Sequence, residues 1–203
     1  MKRSWIVVTL VALVMVVAVG CAKAPQDDIN AAQAEMDKAK QAQAESWAAT
    51  EFAAASEAMN AAQAEITAQN EKFMKNYDKA KELLAKAKED AAKAAEAAVA
   101  NKEQTKKDAE AAIAAADTAV QTAEASLKTA PVTKDSKADI TLMKGDLATL
   151  RGSLDQARQS FSSEDYKKAL ESATSVKDKA TSITDQVEEA KKKRAAHAVP
   201  KKK

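Results

Sequence analysis

In the last third of the chain the apolar residues recur at alternating steps of three and four: Ile140, Met143, Leu147, Leu150, Leu154, Ala157 and Phe161. That spacing places all seven on one stripe of a helix, the a/d seam of a coiled coil. After Ser162-Ser163-Glu164-Asp165 the alternation restarts with Tyr166, Ala169, Ala173, Val176, Ala180, Ile183, Val187 and Ala190. Two seams joined by four polar residues predict an antiparallel hairpin, with helices over about 136–161 and 164–191. The serine hydroxyls are expected to cap the second helix, and Glu164 and Asp165 to favour its N-terminal dipole. Gly145 and Gly152 avoid the seam and mark either close backbone contact or local softness.

Upstream, Phe52, Ala55, Met59, Ala62, Ile66 and Phe73 share one heptad phase, and Ile29 and Met36 belong to another. Joining the two requires a slip of about two residues, so a break is expected at about residues 45–49. A further slip separates Phe73 from the seam of Tyr77, Ala80, Leu84, Ala87, Ala91, Ala94 and Ala98, which places a bend at about residues 72–76. Beyond it, Ala109, Ile113, Ala116, Val120, Ala123 and Leu127 keep the same phase across the polar run 101–108. One helix over about 76–129 is therefore preferred to two, with Pro131 helping to stop it. The fold class is all-α: elongated antiparallel helical hairpins or coiled coil with one long Ala-rich helix. It divides into an Ala-rich region over 28–130, with helices at about 28–45, 50–71 and 76–129, and a C-terminal hairpin over 131–190.

Alanine at most seam positions lets helices approach closely but contributes little transfer free energy, against about 1.5–3 kcal/mol for a buried Leu. Residues 85–125 should be marginal alone, held by Ala propensity and by i,i+4 pairs such as Glu82 with Lys86 and Glu89 with Lys93, and prone to weak self-association. The segment Ala-Ala-Gln-Ala-Glu-Met at 31–36 returns as Ala-Ala-Gln-Ala-Glu-Ile at 61–66, in keeping with a repeated helical plan. The aromatics beyond Cys21 flank the proposed turns: Trp47 and Phe52, Phe73 and Tyr77, Phe161 and Tyr166. They are expected to plug hairpin ends. A groove for a ligand or peptide partner is the competing reading.

Composition narrows the chemistry. The chain of 203 residues has three glycines, three prolines, one cysteine and one histidine. His197 stands alone near Pro200, so no His-based triad or zinc set can be assembled. Carboxylates alternate with lysines along exposed faces, and no calcium-hand, Walker, dinucleotide or Gly-x-Ser-x-Gly pattern occurs. The expectation is a protein that is not an enzyme and that uses no cofactor or metal.

The first residues change the picture. Lys2 and Arg3 precede an uncharged apolar stretch over residues 5–19, a length suited to a signal peptide rather than a membrane span. It ends in Ala18-Val19-Gly20-Cys21, which resembles the bacterial lipobox, with Ala18 where Leu is commonest. The resemblance implies cleavage between Gly20 and Cys21, loss of residues 1–20, and acylation of Cys21 on sulfur and amine, leaving 21–27 as a lipidated linker. A buried or reactive thiol behind an uncleaved anchor is the alternative. Three acyl chains, at about 0.8 kcal/mol per buried methylene, hold a protein to a bilayer stably. Ala22 resembles the residue that follows the cysteine in enterobacterial lipoproteins sorted to the outer membrane, which implies a cell-envelope location facing the periplasm.

Charge is distributed unevenly. Residues 21–190 hold all 30 acids and 23 bases, a net −7, whereas residues 191–203 carry seven bases and no acid. A body of that sign without a basic face interleaved with aromatics excludes nucleic acid as the expected partner. The tail over 191–203 reads as a basic, disordered, solvated terminus, with contact to anionic lipid, lipopolysaccharide or peptidoglycan carboxylates as the alternative.

From Cys21 to about Lys102 the chain resembles a family of uncharacterised bacterial lipoproteins known only as a domain of unknown function. The resemblance rests on residues 22–25 after the cysteine, the ladder Ala31, Ala39, Ala42, and the placement of Phe52, Tyr77 and Ala80. It implies Ala-rich helices and an acylated N-terminus, and no known chemistry. The Tyr166, Ala169, Ala173 spacing is similar to the second helix of a tetratricopeptide unit, without that repeat's Trp, Gly and Pro marks. The expected function is a non-enzymatic, membrane-anchored envelope lipoprotein acting as a helical scaffold or interaction module for another envelope protein. A second reading is a structural tether, because Lys203 resembles the C-terminal lysine by which the major outer-membrane lipoprotein is joined to peptidoglycan. A third is a stress-protective amphipathic helical protein that gains helix on drying or on lipid.

Overall fold

A computed structural model describes residues 23–133 and 136–198. Among them every regular element is a helix: α1 (Gln26–Gln41), α2 (Ala44–Trp47), α3 (Ala49–Asn70), α4 (Asp78–Lys128), α5 (Lys137–Ser162) and α6 (Tyr166–Ala198). The fold class is all-α, and α4 is a single helix of 51 residues. Its continuity follows from its seam. Ala80, Leu84, Ala87, Ala91, Ala94 and Ala98 are buried, and so are Ala109, Ala116, Val120, Ala123 and Leu127. The polar run 101–108 keeps that phase and needs no turn.

The packing divides between Asn101 and Lys102 into two units, so α4 supplies a helix to each. In the first unit α1, α2 and α3 surround the front of α4. One end holds Ala32, Ala58, Ala62, Ile66, Tyr77, Ala80, Leu84 and Ala87, with Ala24 and Ile29 against them. The other end holds Met36, Ala39, Ala44, Ala48, Ala55, Ala91, Ala94 and Ala98. Hence α1 and the front of α4 run the same way and α3 runs against both.

In the second unit the back of α4 joins α5 and α6 in one core: Val120, Ala123 and Leu127 with Ile140, Leu147, Leu150, Leu154, Val176, Ile183 and Val187. Cross-helix pairs fix the directions. Arg158 meets Asp117 at 2.7 Å, and Arg151 Nε meets Glu124 at 2.7 Å, so α5 opposes α4. Lys102 reaches Glu164 and Lys191 reaches Thr129, both across 62 positions, so α6 runs parallel to α4 in constant register. The expected two-helix hairpin over 131–190 is therefore a three-helix arrangement, and the division falls at 101/102 rather than 130/131. A lone hairpin leaves one flank of its apolar seam open to water, and the back of α4 covers it.

Several local expectations are corrected. The break expected at 45–49 is two interruptions, at Gln43 with φ 60° and at Ala48 with φ −145°, flanking the single turn α2. Of the linker expected over 21–27, Pro25 is buried and Gln26 and Asp27 already belong to α1, while residues 21 and 22 lie outside the described residues. The basic run 191–194, expected to be disordered, continues α6, where Lys191 pairs with Glu188 and Lys193 with Glu189 one turn back. Ser162 and Ser163 do not cap α6: their hydroxyls donate back to the Arg158 and Gln159 carbonyls, closing α5. Asp165 caps α6 instead, accepting from the Lys168 amide at 3.3 Å, because Glu164 at φ 63° reverses the chain first. Lys86 pairs with Asp90 rather than Glu82, whereas Lys93 pairs with Glu89 as expected. Ala190 lies exposed beyond the end of the seam. Before α5, Thr133 and Ser136 exchange hydrogen bonds between amide and hydroxyl in both directions, a capping-box arrangement.

The two units differ in what they bury. Beside its alanines the first has Met36, Ile66, Tyr77 and Leu84, whereas the second has Leu127, Ile140, Leu147, Leu150, Leu154, Tyr166, Ile183 and three valines. Backbone amides within α1 and α3 are therefore expected to exchange with deuterium faster than those in the middle of α5 and α6. Comparable protection throughout would show that large side chains do not set the local stability.

Nothing lies within 4 Å of a Cβ built on Gly145 or Gly152, so neither glycine serves a close backbone approach. Gly145→Ala and Gly152→Ala should each raise stability by up to about 1 kcal/mol in urea unfolding, since Ala is the better helix former. Leu154→Ala, at a position 2 % exposed, should lower it by about 2–5 kcal/mol in the same assay.

Candidate functional site

The aromatics occupy three places with different chemistry. Trp47 and Phe52 are half-buried against the Ala-rich end of the first unit, and the Asn101 side chain donates to the Trp47 carbonyl at 2.8 Å. Phe161 tilts against Tyr166, with ring centroids 5.2 Å apart and planes at 58°. Lys102 sits 5.9 Å from the centre of the Tyr166 ring while its ammonium binds Glu164 at 3.0 Å. These four residues plug and latch the α5–α6 turn.

The third pair separates. Tyr77 is buried at 4 %, whereas Phe73 is 97 % exposed and Met74 beside it 76 % exposed. Phe73 therefore does not plug a hairpin end. Its place on the seam phase is void because α3 ends at Asn70, and the chain then turns until Tyr77 supplies the buried ring.

That turn is closed by a polar cluster. Gln69, 8 % exposed, donates to Glu65 at 2.7 Å and accepts from the Asn76 amide at 3.2 Å. The Tyr77 hydroxyl donates to Asn70 at 2.5 Å, and Asn76 accepts from the Asp78 amide at 2.8 Å to start α4. Lys79 binds Glu65 across the turn at 3.0 Å. The Gln69 amide, and after it the Lys79 ammonium, hold the Glu65 carboxyl below its ordinary range. The sequence carried a signal for this cluster that periodicity alone passed over: Gln69 fills the vacant seam position between Ile66 and Phe73, and a polar residue on a buried stripe requires partners.

Two other groups are displaced in the same direct way. Glu89 raises the Lys93 ammonium and Lys193 lowers the Glu189 carboxyl, each from one helical turn away. Such pairs are surface chemistry of a helix rather than a reaction centre. Among the described residues no group of three or more His, Cys, Asp and Glu is placed to hold a metal ion, and no helix is long and apolar enough to cross a membrane. Grooves in the second unit include one of about 370 Å³ at Leu150, Lys179 and Ile183 and one of about 240 Å³ at Pro131, Ile140 and Met143. Both lie along helix seams.

Cys21, the cleavage position Gly20 and the terminal Lys203 lie outside the described residues. Comparison of the chain with protein-family models, curated proteins and solved structures returns no match.

Removing the Tyr77 hydroxyl as Tyr77→Phe should cost about 0.5–1.5 kcal/mol, the net value of one intramolecular hydrogen bond. Because the folded carboxyl of Glu65 sits below its unfolded value, its contribution is present above the ordinary carboxylate range and is lost as pH falls through the lowered folded value. Urea midpoints of the wild type should drop on acidification more than those of Glu65→Gln. Parallel curves would remove Glu65 from the account.

Proposed function

We propose that this chain is a non-enzymatic lipoprotein of the bacterial cell envelope, acylated at Cys21 and presenting two helical units as a scaffold or interaction module. The observation that carries the reading is the juxtaposition of Lys2-Arg3, the uncharged apolar stretch 5–19 and Ala18-Val19-Gly20-Cys21, with folded structure starting almost at once behind them. Ala24 packs on the first unit's core and Pro25 is buried. A cysteine modified at that position carries its lipid on a leash of very few residues.

The chemistry supports a permanent rather than a regulated attachment. One acyl chain binds a bilayer marginally and two or more bind it stably. Modified sulfur forms no disulfide, which suits a sole cysteine in an oxidising compartment. The body offers helix surface rich in Lys, Glu and Gln, and its seams are consumed internally, so recognition of an envelope partner falls to surface features such as the turns. Ala22 after the cysteine favours the outer membrane.

Labelled palmitate supplied to cells making the protein should enter the purified product and should fail to enter Cys21→Ser. The wild type should fractionate with membranes after a carbonate wash and resist release by salt. Incorporation of palmitate into Cys21→Ser, or none into the wild type, would overturn the assignment.

A further inference from the structure

We propose that the α3–α4 turn is a second membrane contact: Phe73 and Met74 enter the headgroup–acyl boundary of the bilayer, and Lys72 and Lys75 lie against its anionic phosphates. Phe73 is 97 % and Met74 76 % exposed, adjacent in sequence at the tip of a turn. Among the described residues the other large exposed apolar ones, Val99, Val132 and Leu142, stand singly, as scattered surface residues ordinarily do.

The pair is presented by a closed turn. The Lys72 amide donates to the Gln69 carbonyl at 3.1 Å, the Asn76 amide to the Gln69 side chain at 3.2 Å, and the Tyr77 hydroxyl to Asn70 at 2.5 Å. Those bonds draw Tyr77 inward and leave Phe73 and Met74 outside. The arrangement matches what an interfacial anchor needs: apolar side chains at the tip and long lysine stems able to lie along them with their ammonium groups in the headgroup layer.

The position of the chain's N-terminal segment selects a bilayer as the occupant. Ala24 packs in the same cluster as Ile66, Tyr77 and Ala80, so the chain enters the first unit at the end where this turn lies. Ala24 stands three positions after Cys21, a span of at most about 11 Å. Among the described residues the opposite end of the unit, with Met36, Ala94 and Ala98, carries no comparable exposed pair. Glu71 and Asp78 border the tip and Asp27 and Asp28 begin α1, so acidic charge offsets part of the attraction of the lysines and apolar insertion supplies the main contact. The inference rests on the lipid-anchored reading for its location.

The test places a single indole in the full chain. In Trp5→Phe/Trp47→Phe/Phe73→Trp the only indole is at position 73, and in Trp5→Phe/Trp47→Phe/Val99→Trp it is at the far end of the same unit. Each chain is reconstituted with phosphatidylglycerol–phosphatidylethanolamine vesicles, part of whose acyl chains are brominated. Emission from position 73 should shift to the blue and be quenched about threefold more than emission from position 99, and Lys72→Glu/Lys75→Glu should reduce the quenching about twofold. Exposed emission at 73 in chains that float with the vesicles would overturn the contact while leaving the anchor intact. Equal quenching at both positions would overturn it too, as would an indole at 73 that stays exposed on vesicles and is buried by a soluble envelope extract, the mark of a protein partner. Flotation reports anchorage and quenching reports the turn: quenching at 73 in a chain that takes up no palmitate would support the contact and refute the acylation.

Discussion

A seam of alanines brings helix backbones close together yet removes little apolar surface from water, so the energetics of this protein depend on where its few large side chains stand. In the first unit Ala32, Ala39, Ala55, Ala62, Ala80, Ala87, Ala91, Ala94 and Ala98 are fully buried, and the large buried apolar side chains are Met36, Ile66, Tyr77 and Leu84. The aromatic and polar groups accordingly gather where helices end. Tyr77 with Gln69, Asn70 and Asn76 closes one turn, and Phe161 with Tyr166 and Lys102 closes another. A hydrogen bond at a buried turn makes up a larger share of the stability here than in a leucine-rich core, because the apolar contribution is smaller.

The same constraint explains why α4 is long. An alanine-rich helix that packs weakly per residue gains by serving as a common member of two cores, since each then needs only two further long helices. Its front buries Leu84 among alanines, and its back buries Val120 and Leu127 among the leucines of α5. The stretch between Ala98 and Ala109 is polar, with Lys102, Gln104, Lys106 and Lys107, residues of good helix propensity, and Lys107 pairs with Glu103.

The helix seams were legible in the sequence because period alone decides which face is buried: Leu147, Leu150, Leu154 and Val176 are buried where the three-four alternation puts them. The single phase from Tyr77 to Leu127 likewise carried the continuity of α4. What period could not supply was partnership. A seam says that a helix has an inward face and not which helix meets it, so the back of α4 was assigned away from α5 and α6. Turn chemistry was legible only in part. Ser162 and Ser163 suit either the end of one helix or the start of the next, and the αL residue Glu164, unmarked by glycine, decides for the former. Gln69 interrupts an apolar pattern as a polar residue, yet its position on that pattern marks it for burial.

Phe73 shows how phase and burial come apart. It continues the register of Phe52, Met59 and Ile66, but register has meaning only while the helix persists, and α3 stops three residues earlier. A seam residue that outlives its helix is carried to the surface by the turn that follows. A large apolar residue left there costs nothing in packing and something in solubility, and the structure concentrates that liability at one end, beside Met74 and on the side where Ala24 leads back to the cysteine. An apolar pair is a hazard on a freely diffusing molecule, because another copy can cover it. On a molecule anchored at Cys21 as proposed above, the surface closest at hand would be lipid, because Cys21 stands only three positions before Ala24.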